Sequence, residues 1–426
     1  MAKQVKTPVA PRLRFPEFRE ADTWARMSLS KLLRERKQRN RDLKYGPEDV
    51  LSVSGDHGCV NQIELLGRSY AGVSVKEYHV VETGDLVYTK SPLKKNPYGV
   101  IKENKGKPGI VSTLYAVYHV TELAHPAYLD HYFSGDYNLN SYLQPIVRKG
   151  AKNDMKVNNA AVLSGEVLAP KVPEQQKIAD CLTSLDRVIA VQRRKLAALI
   201  DYKRGLIRQL FPREGETLPR LRFPEFRDAS GWEPTTLGAL ADFHSGSTPS
   251  KANPAFWNGA IPWASAKDMK QLFLDDAEDH ISTLAVYDGA KLVPSGALLM
   301  LTRGMTLLKD VPICVLRREM SFNQDVKALL PKGGTEGLFL ALLLLGNKER
   351  LLRMVDIAGH GTGKLNTDEL KALELSTPKP AEQRRIADCL VSLDTRIAAE
   401  SEKLDAFKTH KRSLMQQLFP SPEETL

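Results

Sequence analysis

A repeat at a separation of 208 residues constrains this chain more than any other feature of its sequence. Residues 11–20 read PRLRFPEFRE and residues 219–228 read PRLRFPEFRD, so nine of ten positions agree. The 40-residue block that starts at Pro173 returns from Ala381 at the same separation. Between these blocks the halves share scattered anchors: Trp24 with Trp232, Leu29 with Leu237, Lys156 with Lys364, and Asn158 with Asn366. The pattern predicts one scaffold that presents two different recognition surfaces.

The composition is that of a globular chain with excess positive charge. Its 426 residues suffice for two domains, and hydrophobic and charged contents of 42% and 26% exclude disordered and fibrous classes. The net charge of +10 favours a polyanionic partner, with nucleic acid ahead of an acidic membrane surface.

The sequence shows no clear cysteine motif and no clear targeting signal. Four cysteines without a CxxC pair argue against zinc or a disulfide framework and favour a reducing compartment. The N-terminus has no apolar signal-peptide core, and the longest apolar run, 338–345, is too short to span a bilayer. We therefore expect a soluble cytoplasmic protein with no membrane partner.

The repeated block predicts a long amphipathic helix in each copy. Apolar residues recur in steps of three and four, the spacing of a heptad seam. The predicted seam consists of Ile178, Leu182, Leu185, Ile189, Leu196, Leu199, Leu206 and Leu210, and of Ile386, Leu390, Leu393, Ile397, Leu404, Phe407, Leu414 and Leu418. A proline and a glutamate suit each first turn and a second proline marks each end: Pro173, Glu174 and Pro212, then Pro380, Glu382 and Pro420.

Each helix is predicted to run roughly 33 residues, or about 50 Å, more than a small domain needs to cover its core. We expect the two helices to pack as an antiparallel spacer; the alternative is that each packs only on its own domain. Gln192, Lys203, Glu400 and Lys411 are polar seam positions that either fix the register, with Gln192 meeting Glu400, or lie in a partly solvated seam.

The segments between the repeated blocks mix short β-like runs with Gly, Pro and Ser turns, which predicts α+β domains. GDLVYTK at 84–90 and ALLMLTR at 297–303 read as the same strand in two copies. The predicted fold is α+β, with two pseudo-symmetric globular domains joined by two long helices packed as an antiparallel coiled coil. The predicted segments are 1–170, the first helix 171–212, the domain 213–378 and the second helix 379–426.

Candidate DNA-contacting residues lie in the loops of both domains. Lysine and arginine can grip phosphates, and Arg, Asn and Gln can read base edges, although solvated loops or turn-building roles are the alternatives. The first domain offers Lys90, Lys94, Lys95, Arg148, Lys149, Lys152 and Lys156. The second offers Ser247, Thr248, Lys251, Lys267, Arg303, Asn323, Gln324, His360 and Lys364. Trp257 and Trp263 are interpreted as packing residues.

No catalytic or metal site is predicted. GHGTGK, which ends at Lys364, lacks the first glycine and the Ser/Thr of a phosphate loop, and NPYG and NPAF are not adenine-methyltransferase motifs. The Asp-rich stretch 275–279 has no second copy that would suggest a nuclease.

The chain closely resembles the specificity subunit of type I restriction-modification enzymes. The resemblance rests on PEQQKIADCLTSLDRVI and its copy AEQRRIADCLVSLDTRI, and GTGKLNTDEL leading to the second copy strengthens it. It covers the entire chain. Ala381 replaces the usual proline, but Pro380 can still open the helix.

This resemblance implies a non-catalytic subunit with two target-recognition domains, each reading one half of an asymmetric bipartite sequence in double-stranded DNA. It also implies two adenine-methylating subunits and, for cleavage, two ATP-driven endonuclease/translocase subunits as partners. S-adenosylmethionine, ATP and Mg²⁺ are then expected in those subunits, with no cofactor in this chain. The competing classes are a scaffold that docks two proteins, and a fused methyltransferase or nuclease, against which the missing motifs argue.

Overall fold

The computed structural model of the chain describes residues 10–55, 57–91, 96–149, 155–357 and 361–420. The chain divides into a first unit, Met1–Arg193 with Glu402–Leu426, and a second unit, Arg194–Ser401. Each unit combines a sheet-containing body with half of each long helix. The predicted α+β class with two long helices is confirmed. No helix in the described part of the chain is long and apolar enough to cross a membrane.

The first unit is built around a four-stranded antiparallel sheet of order β2-β9-β6-β7. Its strands are β1 (Ala25–Ser28), β2 (Leu33–Glu35), β3 (Leu51–Ser54), β4 (Gly58–Asn61), β5 (His79–Val81), β6 (Leu86–Thr89), β7 (Val100–Glu103), β8 (Gly109–Val111), β9 (Tyr115–Val120), β10 (Arg148–Lys149), β11 (Met155–Lys156) and β12 (Glu166–Ala169). Its short helices are α1 (Leu29–Leu32), α2 (Gln62–Leu66), α3 (Pro126–Tyr132), α4 (Asp136–Leu143) and α5 (Asn159–Ser164). All of β6 is buried.

The second unit contains a five-stranded sheet, β14-β23-β19-β21-β16, and a four-stranded sheet, β17-β15-β22-β18. Its strands are β13 (Glu233–Thr236), β14 (Ala241–Ser245), β15 (Trp257–Ala264), β16 (Phe273–Leu274), β17 (Asp279–Ile281), β18 (Leu292–Val293), β19 (Leu298–Leu301), β20 (Arg303–Gly304), β21 (Ile313–Leu316), β22 (Met320–Phe322), β23 (Val326–Pro331), β24 (Asp356–Ile357), β25 (Gly363–Lys364) and β26 (Glu374–Thr377). Its short helices are α7 (Leu237–Leu240), α8 (Thr283–Tyr287), α9 (Gly337–Gly346), α10 (Lys348–Arg353) and α11 (Thr367–Ala372).

The two units share their outer elements at the separation of the repeat. The antiparallel pair β1–β12 corresponds to β13–β26, and helix α5 corresponds to α11. Asn158 and Asn366 cap these helices, since each side chain accepts a hydrogen bond of 2.9 Å from the backbone N–H two residues later. Leu29 and Leu237 are fully buried. The scattered sequence anchors therefore mark shared caps and core positions.

The long helices are α6 (Val172–Leu210) and α12 (Pro380–Leu418), each of 39 residues. Both lie within the predicted segments 171–212 and 379–426 and are longer than the predicted 33-residue seam, because each helix begins about two turns before its first apolar seam residue. A proline stands in each first turn, as predicted.

Ion pairs fix the direction in which the helices pack. In the second unit, Lys203 Nζ lies 2.5 Å from Asp394 Oδ1, and Lys195 pairs with Glu400. In the first unit, Lys411 Nζ lies 2.6 Å from Asp186 Oδ1. Numbers rise along α6 as they fall along α12, so the helices are antiparallel, as predicted. Lys203 and Lys411 are two of the polar seam positions, and they form the equivalent lysine–aspartate ion pair in the two copies.

The predicted seam residues are all buried or half-buried. Six of them, near the helix ends, belong to the cores of the two bodies: Ile178, Leu182 and Leu418 in the first unit, and Leu210, Ile386 and Leu390 in the second. At these ends the apolar stripe packs into a body, because each body encloses the start of one long helix and the end of the other.

A buried three-residue contact, which we call the helix clasp, anchors the first turn of each long helix. In the first unit Arg14 Nε and Nη2 donate to Glu174 at 2.8 and 2.7 Å, and Trp24 Nε1 donates to Glu174 at 3.2 Å. The second clasp repeats these contacts at 2.8, 2.7 and 3.3 Å, through the residues Arg222, Glu382 and Trp232. The carboxylate at each helix start is therefore fully engaged while buried.

The segment that carries each clasp arginine also caps the other long helix. Leu13 N–H donates to the carbonyl of Gln417 at 3.0 Å, and Leu221 N–H donates to Gln209 at 2.9 Å. These carbonyls lie in the last helical turn, where no further helical N–H is available. The repeated PRLRFPEF segment thus joins the start of one helix to the end of the other within each unit.

The glutamine after each clasp glutamate holds the neighbouring body. Gln175 accepts a hydrogen bond of 2.8 Å from His125 N–H, at the start of α3. Gln383 accepts one of 2.9 Å from Glu336 N–H, at the start of α9. The motif that carries the family resemblance is therefore a structural joint between helix and body.

Buried titratable side chains lie on helix α3 of the first body, where it packs against α6. Asp130 on α3 lies 2.7 Å from Lys105 Nζ and 3.9 Å from Lys102 Nζ. Burial and Asp130 have opposing effects on Lys102, and burial prevails to lower its pKa. His131 Nε2 lies 3.1 Å from Thr183 Oγ1 on α6. Burial lowers the pKa of His131 to about 4.

We expect Glu174→Gln to destabilise the first unit by about 3 kcal/mol, because one partner of a buried ion pair is removed while Arg14 stays buried. Glu382→Gln should have the same effect on the second unit. Because the units need not unfold together, hydrogen exchange resolved by segment is the suitable measurement. The matched control is Glu17→Gln, which removes a half-exposed ion pair with Lys177. An equal loss of protection in the control would contradict this role of the clasp.

Acidification should destabilise the first unit. The folded pKa of His131 is below its unfolded value, so the unfolded chain binds more protons and stability falls as pH drops from about 6.5 to about 4. This contribution is about 3 kcal/mol. His79, whose pKa burial lowers to about 4, acts in the same sense. Glu103 has the opposite effect on stability. Burial raises its pKa to about 7, so on acidification the folded chain binds a proton at Glu103 before the unfolded chain does.

Urea unfolding of the full chain at pH 7 and pH 5, followed by segment-resolved hydrogen exchange, measures this pH dependence. His131→Gln should show a smaller loss on acidification than the parent chain, and exposed His57→Gln should show the parental loss. Equal pH dependence in all three proteins would exclude His131 as a source.

Candidate nucleic-acid interface

Six of the predicted DNA-contacting residues come together in the second unit. We call this surface the polar edge, and it consists of Ser247, Thr248, Arg303, Asn323, Gln324 and Lys364. Backbone hydrogen bonds join its loops: Ser247 N–H donates to Phe322 at 3.0 Å, Arg303 N–H to Asp325 at 3.1 Å, and Leu365 N–H to Thr302 at 2.9 Å. Residues more than 100 positions apart thus share one surface.

Gly246 allows two loops of the polar edge to approach closely. A Cβ at this position would lie 2.3 Å from the carbonyl oxygens of both Phe322 and Asn323, which is closer than real Cβ contacts. Trp263 supports the same loop by donating to the carbonyl of Ser247 at 3.0 Å. Trp263 is buried and packs edge-on against Trp257 with ring centroids 5.3 Å apart, so the predicted packing role is confirmed.

The two amide side chains of the polar edge, Asn323 and Gln324, differ in how accessible they are to a ligand. Gln324 is exposed and its Oε1 accepts a hydrogen bond from the hydroxyl of Thr248. Asn323 is half-buried, and its Oδ1 has no hydrogen-bond partner within the described part of the chain. Gln324 is therefore the better placed of the two for a base edge, with its Nε2 as donor.

A narrow antiparallel ribbon, β20-β25-β24, carries the basic residues of the polar edge. Arg303 stands opposite Lys364, and Lys364 stands opposite Asp356. All three are exposed, and directly opposite residues share a face of a ribbon. On the other face, a Cβ at Gly363 would lie 2.7 Å from Leu307 Cβ, so the ribbon packs on the body through a glycine.

Two further lysines of the second unit, Lys251 and Lys267, were predicted to contact DNA, and their surroundings differ. Lys267 lies 2.9 Å from Asp279 and 3.3 Å from Glu278, and the hydrogen bond to Asp279 is the main cause that raises its pKa. Its charge is locally balanced, which weakens it as a phosphate ligand. Lys251 is exposed in a turn.

In the first unit, Lys90 follows strand β6 and is half-buried. Burial lowers its pKa, and nearby Glu35 opposes this effect while Arg39 adds to it. Arg148, Lys149 and Lys156 occupy the paired strands β10 and β11. Four further predicted residues lie outside the described residues: Lys94, Lys95, Lys152 and His360.

Several basic residues near these loops serve the fold. Lys102 and Lys105 pair with Asp130, and Arg36 Nε lies 2.7 Å from Asp85. These partners lie 25 to 49 residues away in sequence, so local charge density did not predict them. The basic stretches of the first unit consequently offer fewer free charges than their sequence suggests.

Asp356 and Gly246 are the residues of this surface that the sequence reasoning missed. Asp356 lies 208 positions after Arg148, so the repeat itself could have identified it. Gly246 has no sequence signal beyond a Gly and Ser turn.

Comparison with known proteins supports the resemblance. Residues 229–408 match the family model described as type I restriction modification DNA specificity domain. The chain is 31% identical over 162 residues to the EcoR124I/EcoR124II specificity subunit of Escherichia coli, covering 38% of this chain and 40% of that protein. It is 27% identical over 168 residues to the MjaIX specificity subunit of Methanocaldococcus jannaschii, covering 38% of each. The matches span about two fifths of the length of these curated relatives.

Solved structures share the fold over nearly the whole chain. The S subunit of the type I restriction-modification system from M. genitalium matches with a TM-score of 0.56 and 12% identity, covering 97% of this chain and 100% of that one. A chain from a structural study of assembly and conformational transition in the type I R-M system gives 0.56 and 18%, covering 93% and 98%. Residues 229–408 thus match the type I restriction modification DNA specificity domain, which supports the resemblance that the sequence predicted.

Gly246→Ala should separate the loops of the polar edge, because the added Cβ cannot fit between two carbonyl oxygens. We expect faster hydrogen exchange at the Ser247 amide, which donates to Phe322. Gly231→Ala is the matched control, since its Cβ would meet only Leu218 at 4.0 Å. Unchanged exchange at Ser247 in a folded Gly246→Ala protein would show that the close approach is not required.

Proposed function

We propose that this chain is the DNA-recognition subunit of a type I restriction-modification complex, in which each unit reads one half of a bipartite, asymmetric target. The observation that supports it best is the repeated ribbon. Lys156 and Lys364 stand at the same register in the two copies, while the residue opposite changes from Arg148 to Asp356. One scaffold carrying different side chains at equivalent positions suits two different half-sites.

Charge and architecture support the same proposal. Lys and Arg near phosphates supply affinity through counterion release, and exposed side chains at base edges supply specificity. The polar edge offers both kinds of group, with Arg303 and Lys364 beside Gln324. The net charge of +10 favours association with double-stranded DNA.

The catalytic steps are assigned to partners. In this proposal two methylating subunits modify adenine and two endonuclease/translocase subunits cleave, so that S-adenosylmethionine, ATP and Mg²⁺ bind to them and not to this chain. The chain itself positions the complex on its target and is not an enzyme. The proposal places the complex in the cytoplasm.

Adenine methylation should be mapped by long-read sequencing of DNA from cells that express the chain with its methylating subunits. The expected result is a gapped, asymmetric methylated motif that is absent without the chain. Arg303→Gln should relax or abolish one half of that motif, since a bidentate arginine–guanine contact contributes about 1–3 kcal/mol of discrimination.

Lys332→Gln is the matched control. Lys332 is exposed on the same body. It follows the Ala241–Pro331 end of the β14–β23 pair, whereas the Ser245–Lys327 end lies beside the polar edge. This variant should keep the parental motif. A stably assembled complex that methylates no specific motif would contradict DNA recognition and favour a scaffold that only docks proteins.

A further inference from the structure

The charge of the repeated ribbon is reversed at one position. In the first unit Arg148 stands opposite Lys156, and in the second unit Asp356 stands opposite Lys364. Both pairs are antiparallel and are related by the separation of the repeat. An acidic residue thus occupies the second copy at a position that is basic in the first.

Asp356 is accessible and is not committed to the fold. It is exposed, and no ion pair or hydrogen bond joins its carboxylate to any residue in the described part of the chain. The same is true of the side chains of Lys364 and Arg303. Strands lie about 4.8 Å apart, so the three residues form a row about 10 Å long across the ribbon.

A carboxylate on a DNA-binding surface is unfavourable beside phosphates, because like charges repel. It becomes favourable where it meets a hydrogen-bond donor, since an ionised carboxylate can only accept. In the major groove the donors are the amino groups of cytosine and adenine, and aspartate matches cytosine N4. Lysine and arginine match the O6 and N7 acceptors of guanine.

We propose that Asp356 is a specificity-determining residue that selects a C·G base pair in the half-site read by the second unit. Its carboxylate accepts a hydrogen bond from cytosine N4, and Lys364 or Arg303 donates to a guanine beside it. This inference rests on the proposed function and extends it to one base pair. It also accounts for the charge reversal, because Arg148 in the first unit suits guanine or phosphate.

The experiment measures base discrimination by the assembled complex. The methylated motif of the parent is mapped first, and binding is then measured for double-stranded oligonucleotides in which each half-site position is substituted in turn. Asp356→Asn should lower discrimination at one C·G position of one half-site by roughly ten- to a hundredfold. Ratios at the other positions and in the other half-site should stay at parental values, and Asp356→Glu should retain part of the preference.

Ratios of affinity separate specificity from folding, because a general loss of binding affects all oligonucleotides alike. Asp288→Asn is the matched control, since it removes an exposed carboxylate of the same body directly after helix α8. Unchanged ratios in Asp356→Asn, or a uniform rise in affinity for every sequence, would overturn the inference while leaving the proposed function intact. A parent complex without any motif would overturn the proposed function and this inference with it.

Discussion

The buried helix clasp is the contact on which the rest of the structure depends. Glu174 and Glu382 are almost fully buried charges, and a buried carboxylate is tolerated only where donors surround it. The arginine and tryptophan that supply those donors lie 160 and 150 residues earlier in the chain. The clasp therefore ties the first segment of each copy to the start of its long helix, which explains why these short blocks match while the bodies between them do not.

The bodies attach to this frame through different chemistry. In the first unit His131 on α3 places a ring nitrogen against Thr183 of α6, and the neighbouring buried Asp130 pairs with Lys105 of the same body. The corresponding segment of the second unit is α9, where buried Ala341 and Leu342 make the joint apolar. The joints keep one common contact, the glutamine that follows each clasp glutamate. A body can thus change its sequence freely so long as it meets that glutamine and fills the space beside the helix.

The polar edge shows how exposed side chains can vary on a constant frame. Its ribbon is held by backbone pairing and by Gly363, none of which requires a particular side chain at Asp356 or Arg303. Side chains on the exposed face can therefore be exchanged without loss of the ribbon. The family model matches the part of the chain that includes this surface, residues 229–408.

The sequence by itself determined the repeat, the two long helices, their proline starts and the strands β6 and β19, which hold equivalent places in the two units, because these features depend on local periodicity and on comparison of one half with the other. It also selected the six residues of the polar edge, although not that they meet. Only the tertiary structure decided that Lys267 and Lys105 are paired, that Glu400 pairs with Lys195, and that Asp356 joins the basic row. These outcomes depend on partners that folding brings together, as far apart as the 205 residues between Lys195 and Glu400, and a local pattern carries no record of such partners.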